Sequence, residues 1–281
     1  MNDRIITQES IDAYSAYLTS VERSENTIMK YRRDVKSFLR WLGENPVSQV
    51  RAIEWKHQLQ EKGYTPASVN SMLIALNRYF VFMGWDECRV KVLKVQKRLF
   101  REESRNLTKE EYSRLVETAL GMGKERLAMV METICTTGIR VSEVRFITVE
   151  AARQEKVEIF LKGKIRTILL PRKLCRKLLK YAKQKKIISG EIFLTRNGTS
   201  LSRRQIWAEM KAICKAAGIA ASKDFPHNLR HLFAQTFYRV THDVAKLADL
   251  LGHSSIETTR IYLISTGMEH AMLINKLNLI I

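Results

Sequence analysis

Leu251-Gly252-His253-Ser254-Ser255-Ile256-Glu257-Thr258-Thr259-Arg260-Ile261-Tyr262 reads as a helix end, a turn and a new helix start. Gly252 supplies the left-handed residue on which helices commonly stop, and Ser254 or Ser255 offers the side-chain oxygen that caps the next one. The turn carries a histidine, and nine residues after it comes a tyrosine. Each alone is ordinary. A histidine at such a turn is most often structural, and a tyrosine on an amphipathic helix most often belongs to the core. Their meaning depends on what precedes them in the chain.

Three upstream segments also hold reactive groups. His227-Asn228-Leu229-Arg230-His231 follows Pro226 and reads as a helix start. Histidines four apart could chelate zinc from one helical face. A metalloprotease would place glutamate directly after the first histidine, however, where Asn228 stands, and Arg230 repels a dication and suits an anion. In Thr136-Thr137-Gly138-Ile139-Arg140-Val141-Ser142-Glu143, Arg140 and Glu143 lie one helical turn apart, which by itself is a common surface ion pair. Between these segments, Val157, Ile159 and Leu161 alternate with charged residues. Ile165, Thr167 and Leu169 do so again, with Gly163 between the two runs, which predicts a β-hairpin. Lys164 lies at its turn, two residues before Arg166.

The rest of the chain is read as helical, so the fold class is mainly α with one small β-sheet. Ile11, Tyr14, Leu18 and Val21 recur at helical spacing. Ile28, Tyr31, Val35, Phe38 and Leu42 do the same behind a cap at Asn26 or Thr27. Thr65-Pro66 starts a further helix with Val69, Leu73, Leu76 and Phe80 as its buried stripe. Thr108 with Glu111 forms a capping box, and helical periodicity returns at Pro171. These signals divide the chain into an N-terminal helical domain over 1–90, a basic linker over 91–106 and a larger, mostly helical domain over 107–281. Residues 89–105 hold seven basic and two acidic side chains without a periodic core, which suits a stretch lying along a phosphate backbone.

Charge points to the partner. The 281 residues carry 48 Lys+Arg against 29 Asp+Glu, a formal net charge of +19. Residues 153–186 alone hold thirteen basic side chains and two glutamates, more than solubility requires. Such an excess repels itself in the folded state and fits a polyanion, nucleic acid first. The start of the chain has no apolar signal segment, and no apolar run reaches the roughly 18 residues of a membrane helix. Cys88, Cys135, Cys175 and Cys214 lie about forty residues apart with no CxxC pairing, against a disulfide framework or a zinc ribbon. The expectation is a cytoplasmic, nucleoid-associated protein with no metal, no cofactor and no membrane partner.

Taken together, the reactive segments suit metal-free cleavage of a phosphodiester. That reaction needs a nucleophile, cations for the charge on phosphorus, an acid for the leaving oxygen, and hydrogen bonds to fix geometry. Arg140 and Arg230 can present planar forks to the non-bridging oxygens. His227 and His253 can donate to those oxygens or help move a proton. Lys164 can protonate the departing oxygen, and Tyr262 can attack to give a phosphotyrosine ester that conserves the bond energy.

The set Gly138-Ile139-Arg140-Val141-Ser142-Glu143, His227-Asn228-Leu229-Arg230-His231, Leu251-Gly252-His253 and Thr259-Arg260-Ile261-Tyr262, in this order, resembles the tyrosine recombinase (phage integrase-like) family. Asn26-Thr27-Ile28 with Tyr31-Arg32-Arg33-Asp34 is similar to the first helices of the family's core-binding domain. The resemblance implies a helical, SAM-like core-binding domain followed by a catalytic domain, with Arg140 and Arg230 on the scissile phosphate. It also implies Lys164 as general acid, His227 and His253 assisting, Tyr262 as nucleophile and Glu143 orienting the site. Here Lys162-Gly163-Lys164-Ile165-Arg166 has one residue fewer between its lysines than the family's usual hairpin; Lys164 keeps the Lys-x-Arg register and is chosen over Lys162. The family resemblance further implies duplex DNA with inverted-repeat core sites and a homotetramer exchanging a C-terminal helix at about 268–281. It leaves room for an accessory DNA-bending protein. The short N-terminus favours a simple Xer-like resolvase, invertase or small mobile-element integrase. A type IB topoisomerase and a non-catalytic DNA-binding regulator are the rival readings.

Overall fold

The computed structural model describes residues 4–95, 106–161, 164–220, 223, 226–253, 255–262 and 275–276, with the side chains of Leu161 and Lys164 excepted. The chain forms two compact units, Met1–Lys97 and Arg98–Ile281. Among the described residues no helix is long and apolar enough to cross a membrane. Of the expected exchange helix at about 268–281, only Asn275 and Lys276 fall within the described residues, and both are helical.

The first unit is four helices, α1 (Gln8–Ser20), α2 (Glu25–Leu42), α3 (Gln49–Glu61) and α4 (Pro66–Phe82), with a short 3₁₀ turn at Asp86–Cys88. Their stripes meet around Tyr14, Phe38, Trp55, Tyr79 and Phe80, all fully buried. Aromatic rings dominate this core, with Phe38 edge-on to Trp55 at 5.2 Å between centroids. Thr65 caps α4 through its side chain, as its position before proline predicts. The start of α2 differs from expectation: Ser24, not Asn26 or Thr27, is the cap residue, because the chain leaves a left-handed Glu22 and is extended at Ser24. Val21 is also outside α1 and exposed. Beyond the 3₁₀ turn the chain is laced to α4. Asn77 both donates to the Val90 carbonyl (2.8 Å) and accepts from its amide (3.0 Å). Asn70 treats Leu93 in the same way, at 2.9 and 2.7 Å.

The second unit runs α5 (Lys109–Gly121), α6 (Glu125–Thr137), a 3₁₀ turn (Val141–Phe146), α7 (Val149–Gln154), β1 (Lys156–Leu161), β2 (Lys164–Leu169), α8 (Arg172–Gln184), α9 (Arg203–Ala216), α10 (Pro226–Thr241), α11 (Val244–Leu251) and α12 (Ile256–Arg260). The Thr108–Glu111 capping box is present at α5. So is the Ser255 cap at α12. The core gathers around α6, with Val130, Met131 and Ile134 buried against α5, α9 and α10.

The hairpin forms, but with an unexpected buried face on β2. Ile159 lies opposite Arg166 and Val157 opposite Ile168. Directly opposed residues share a face, so burying Val157 and Ile159 turns Arg166, Ile168 and Leu170 inward. Ile165 and Leu169, 71% and 66% exposed, face outward. The pairing register, set by Leu161 facing Lys164, decides this.

Candidate active site

α6 delivers the first cation. The helix stops at Gly138, whose left-handed backbone (φ +63°) turns the chain so that buried Ile139 anchors the step and Arg140 opens the next 3₁₀ turn. Arg140 is 40% exposed, and its Nη1 donates to Glu143 Oε1 at 3.0 Å. The Arg140 backbone amide donates to the other carboxylate oxygen at 2.9 Å. The expected i,i+3 pair is therefore formed, but around a glutamate that is itself buried.

Pro226 begins α10, which brings His227, Arg230 and His231 to the same region. Arg230 is 3% exposed. Among the described residues it forms no ion pair with a carboxylate. Instead Nη1 donates to the Gly138 carbonyl, and Nη2 donates to the Leu251 carbonyl at 2.8 Å. Both acceptors belong to helix C-termini, those of α6 and α11, where unpaired carbonyls and the helix dipole favour a cation. Burial, and next Arg140, pull the Arg230 pKa down, while Tyr262 and Glu143 oppose the fall.

Gly252 (φ +62°) ends α11, and His253 follows. Its Nε2 lies 3.1 Å from Arg230 Nη2, and its Nδ1 lies 2.8 Å from the hydroxyl of buried Thr259. A guanidinium can only donate, so Nε2 accepts and the proton sits on Nδ1, pointing at Thr259. Burial, then the charges of Arg230, Arg140 and Arg166, push the His253 pKa down to about 4. The imidazole is neutral at physiological pH.

Tyr262 lies just past α12 and is 3% exposed. Three imidazoles surround its ring: His231 edge-on at 5.0 Å, His227 at 5.9 Å and His253 nearly parallel at 5.9 Å between centroids. Leu247 and Leu251 complete its packing. Arg140, His227, Arg230, His253 and Tyr262 line one cavity of about 900 Å³, with Arg203, Arg204 and Trp207 of α9 on its wall. Among the described residues no group of three His, Cys, Asp or Glu side chains could hold a metal ion.

Of the residues singled out from the sequence, Arg140, Glu143, His227, Arg230, His253 and Tyr262 come together in one unit. The backbone of Lys164 opens β2 opposite Leu161. Its side chain lies outside the described parts, as do Lys162 and Gly163. Sequence reasoning passed over Arg166, Thr259, Arg203, Arg204 and Trp207. Arg166 sat inside the quoted hairpin motif, and the alternation of the strands, with the register fixed, would have turned it inward.

The Phage integrase family matches residues 105–267, and the Phage integrase N-terminal SAM-like domain matches residues 11–87. The chain belongs to the phage integrase family, the tyrosine recombinases, which catalyse cleavage and rejoining of DNA. It is 30% identical to tyrosine recombinase XerA of Pyrococcus furiosus, over 100% of this chain and 98% of that one. With tyrosine recombinase XerD of Vibrio cholerae it shares 28% identity over 85% of each chain. Its fold is shared by a lambda integrase dimer bound to a COC′ core site, with TM-score 0.73 and 18% identity over 92% of this chain and 77% of that chain. The Tn1549 transposon integrase in complex with transposon right end DNA aligns at TM-score 0.73 and 16% identity, over 96% of this chain and 99% of that one.

Proposed function

We propose that this chain is a site-specific recombinase in which the Tyr262 hydroxyl attacks a DNA phosphodiester. The phosphorus–O5′ bond breaks as the tyrosyl–phosphorus bond forms, leaving a 3′-phosphotyrosyl ester and a free 5′-hydroxyl. Attack by a 5′-hydroxyl reverses the step and releases Tyr262, so no external energy source is needed. The observation that carries this reading is the convergence of Arg140, Arg230, His227, His253 and Tyr262 on one cavity within one unit.

In this reading the phosphate enters against Arg140, whose exposed guanidinium already faces the cavity, with Arg230 behind it. Both stabilise charge on the non-bridging oxygens as it grows in the transition state. Glu143 fixes Arg140 through its amide and its guanidinium. His227 and His253 hold the phosphate or carry the tyrosyl proton. Lys164, at the start of β2, supplies the proton to O5′. Side chains do all of this charge work, and neither metal nor nucleotide enters the scheme.

Residues 1–90 are assigned to core binding of duplex DNA, 91–106 to a basic linker and 107–281 to catalysis. The chain's substrates are core sites built as inverted repeats, with four protomers working on two duplexes and exchanging the segment at about 268–281. Such an enzyme works where the DNA is, in the cytoplasm with its nucleoid. The solved relatives bound to a COC′ core site and to transposon end DNA support the DNA assignment. The recombinase relatives also disfavour a relaxing enzyme or a passive repressor.

The decisive test uses Tyr262→Phe, which removes only the attacking oxygen. On a nicked suicide substrate the variant should bind DNA normally and give no covalent adduct on a denaturing gel. An adduct in the Phe variant removes Tyr262 from the role.

A further inference from the structure

Among the described residues, buried Arg166 lacks the full set of partners its guanidinium could use. Its side chain is 9% exposed and makes one ion pair, Nη1 to Glu143 Oε2 at 3.3 Å. Its Nε and Nη2 are buried with no hydrogen-bond partner among the described residues. Unmet donors on a buried charge cost stability, so a Leu or Met facing Ile159 would serve the hairpin better. Two further cations, Arg140 and Arg230, lie close enough to oppose its charge. Burial, with their help and against the pull of Glu143, lowers the Arg166 pKa to about 10. Nothing in the packing of β2 calls for this residue.

Its contacts show what it joins. Glu143 is the carboxylate that holds Arg140, so Arg166 reaches the phosphate pocket through that hub. Its aliphatic stem lies against Gly252, where an added Cβ would come within 2.3 Å of Arg166 Cδ. The turn that presents His253 is therefore open to the hairpin only because residue 252 has no side chain. Lys164 lies two residues before Arg166 on the same strand, whose backbone is paired to β1 along its length.

We propose that Arg166 is a positioning residue: by pairing with Glu143 and seating under the Gly252 turn, it fixes β2 against the phosphate pocket and so sets the place of Lys164. Arg140 and Arg230 line the cavity that holds Tyr262 and Arg166 does not, which distinguishes it from a third phosphate-binding arginine. This inference rests on the reading of Lys164 as the acid for O5′.

A 5′-bridging sulfur tests it, because a thiolate departs without a proton donor. Single-turnover cleavage of suicide substrates with oxygen or sulfur at that position is compared for the unaltered chain, Arg166→Gln, Lys164→Ala and the double variant. Arg166→Gln should slow cleavage of the oxygen substrate by roughly a hundredfold or more, the scale of lost acid catalysis. The sulfur substrate should recover most of that loss, and the double variant should be no slower than Lys164→Ala alone. If Arg166→Gln is equally slow on both substrates while Lys164→Ala is rescued, Arg166 does not place the acid and the inference falls alone. If Lys164→Ala itself is not rescued, the acid assignment fails first and the inference with it. An Arg166→Gln chain that cleaves oxygen DNA at the normal rate also overturns it. Should Arg166→Gln lose half-site binding, Arg166→Lys keeps the charge without the guanidinium's reach, and its sulfur-to-oxygen ratio decides in the same way.

Discussion

His253 is the residue whose chemistry the structure fixes most narrowly. Arg230 donates to Nε2, so the ring must be neutral with its proton on Nδ1. A folded pKa near 4, against an ordinary 6.5, means that the folded state binds fewer protons than the unfolded one between those values. Stability linked to this group is therefore fully present above about pH 6.5 and is lost as pH falls toward 4. In the DNA-free protein an NMR titration should place the His253 midpoint well below that of an ordinary histidine, near 4. A midpoint at or above 6 would show that Nε2 carries a proton and that its contact with Arg230 is not a hydrogen bond. At this scale the sequence was informative about identity and poor on environment. His253 and Tyr262 stood out by spacing and company, yet Thr259, whose hydroxyl meets His253 Nδ1, is one threonine of an unremarkable Thr258-Thr259 pair. Arg230 could be recognised as an anion binder, but its two helix-end carbonyls come from segments 92 and 21 residues away.

Two helix ends close in on the pocket beside the side chains that α9 and α10 bring to it. Gly138 and Gly252 both take the left-handed backbone that closes α6 and α11, and each admits a neighbour that a methyl group would exclude. At Gly138 the neighbour is the Phe233 ring, 2.5 Å from where a Cβ would lie. Gly138→Ala should therefore cost the left-handed strain of about 1–2 kcal/mol, with a further overpacking cost of roughly 1–3 kcal/mol. Gly123, also left-handed but with nothing within 4 Å of a Cβ, isolates the strain alone in Gly123→Ala. Denaturant melts of the two variants should show Gly138→Ala the less stable, and its cleavage rate should fall as well because its carbonyl holds Arg230. Equal losses in both would mean that Phe233 yields and the glycine matters only for its backbone. Caps at Thr65, at Thr108 with Glu111, and at Ser254 or Ser255 were legible because side chains local to the helix start make such caps. The cap of α2 was not, because Ser24 makes no side-chain cap bond and the backbone decides. The inward face of β2 was missed for a related reason. A pattern of alternation shows that two faces exist, but only pairing with the other strand decides which one is buried.

At the scale of the molecule, each of the two units has its own core, and the segment that leaves the first is pinned to α4 as far as Leu93 by Asn70 and Asn77. Helical periodicity followed by a basic, aperiodic tract suggested a break between residues 90 and 107; the asparagine lacing was not readable, since it joins side chains on a helix to backbone further along the chain. Assembly is where residues 268–281 should matter. A chain lacking them is expected to bind a single half-site and to lose cooperative assembly and recombination on full-site DNA. Light scattering of the complex beside a recombination assay checks this, and a truncated chain that still forms tetramers and recombines normally would show that the segment packs on its own protomer. The net charge of +19 has a further consequence when set beside the burial of Tyr262. Attraction to phosphate is indifferent to sequence, so such a protein spends much of its time resting on DNA that is not its target. If the hydroxyl stood open to every passing backbone, each of those encounters would risk a lesion. On the proposed reading of Tyr262 as nucleophile, its 3% exposure among His227, His231 and His253 would keep most of those chance encounters from becoming breaks.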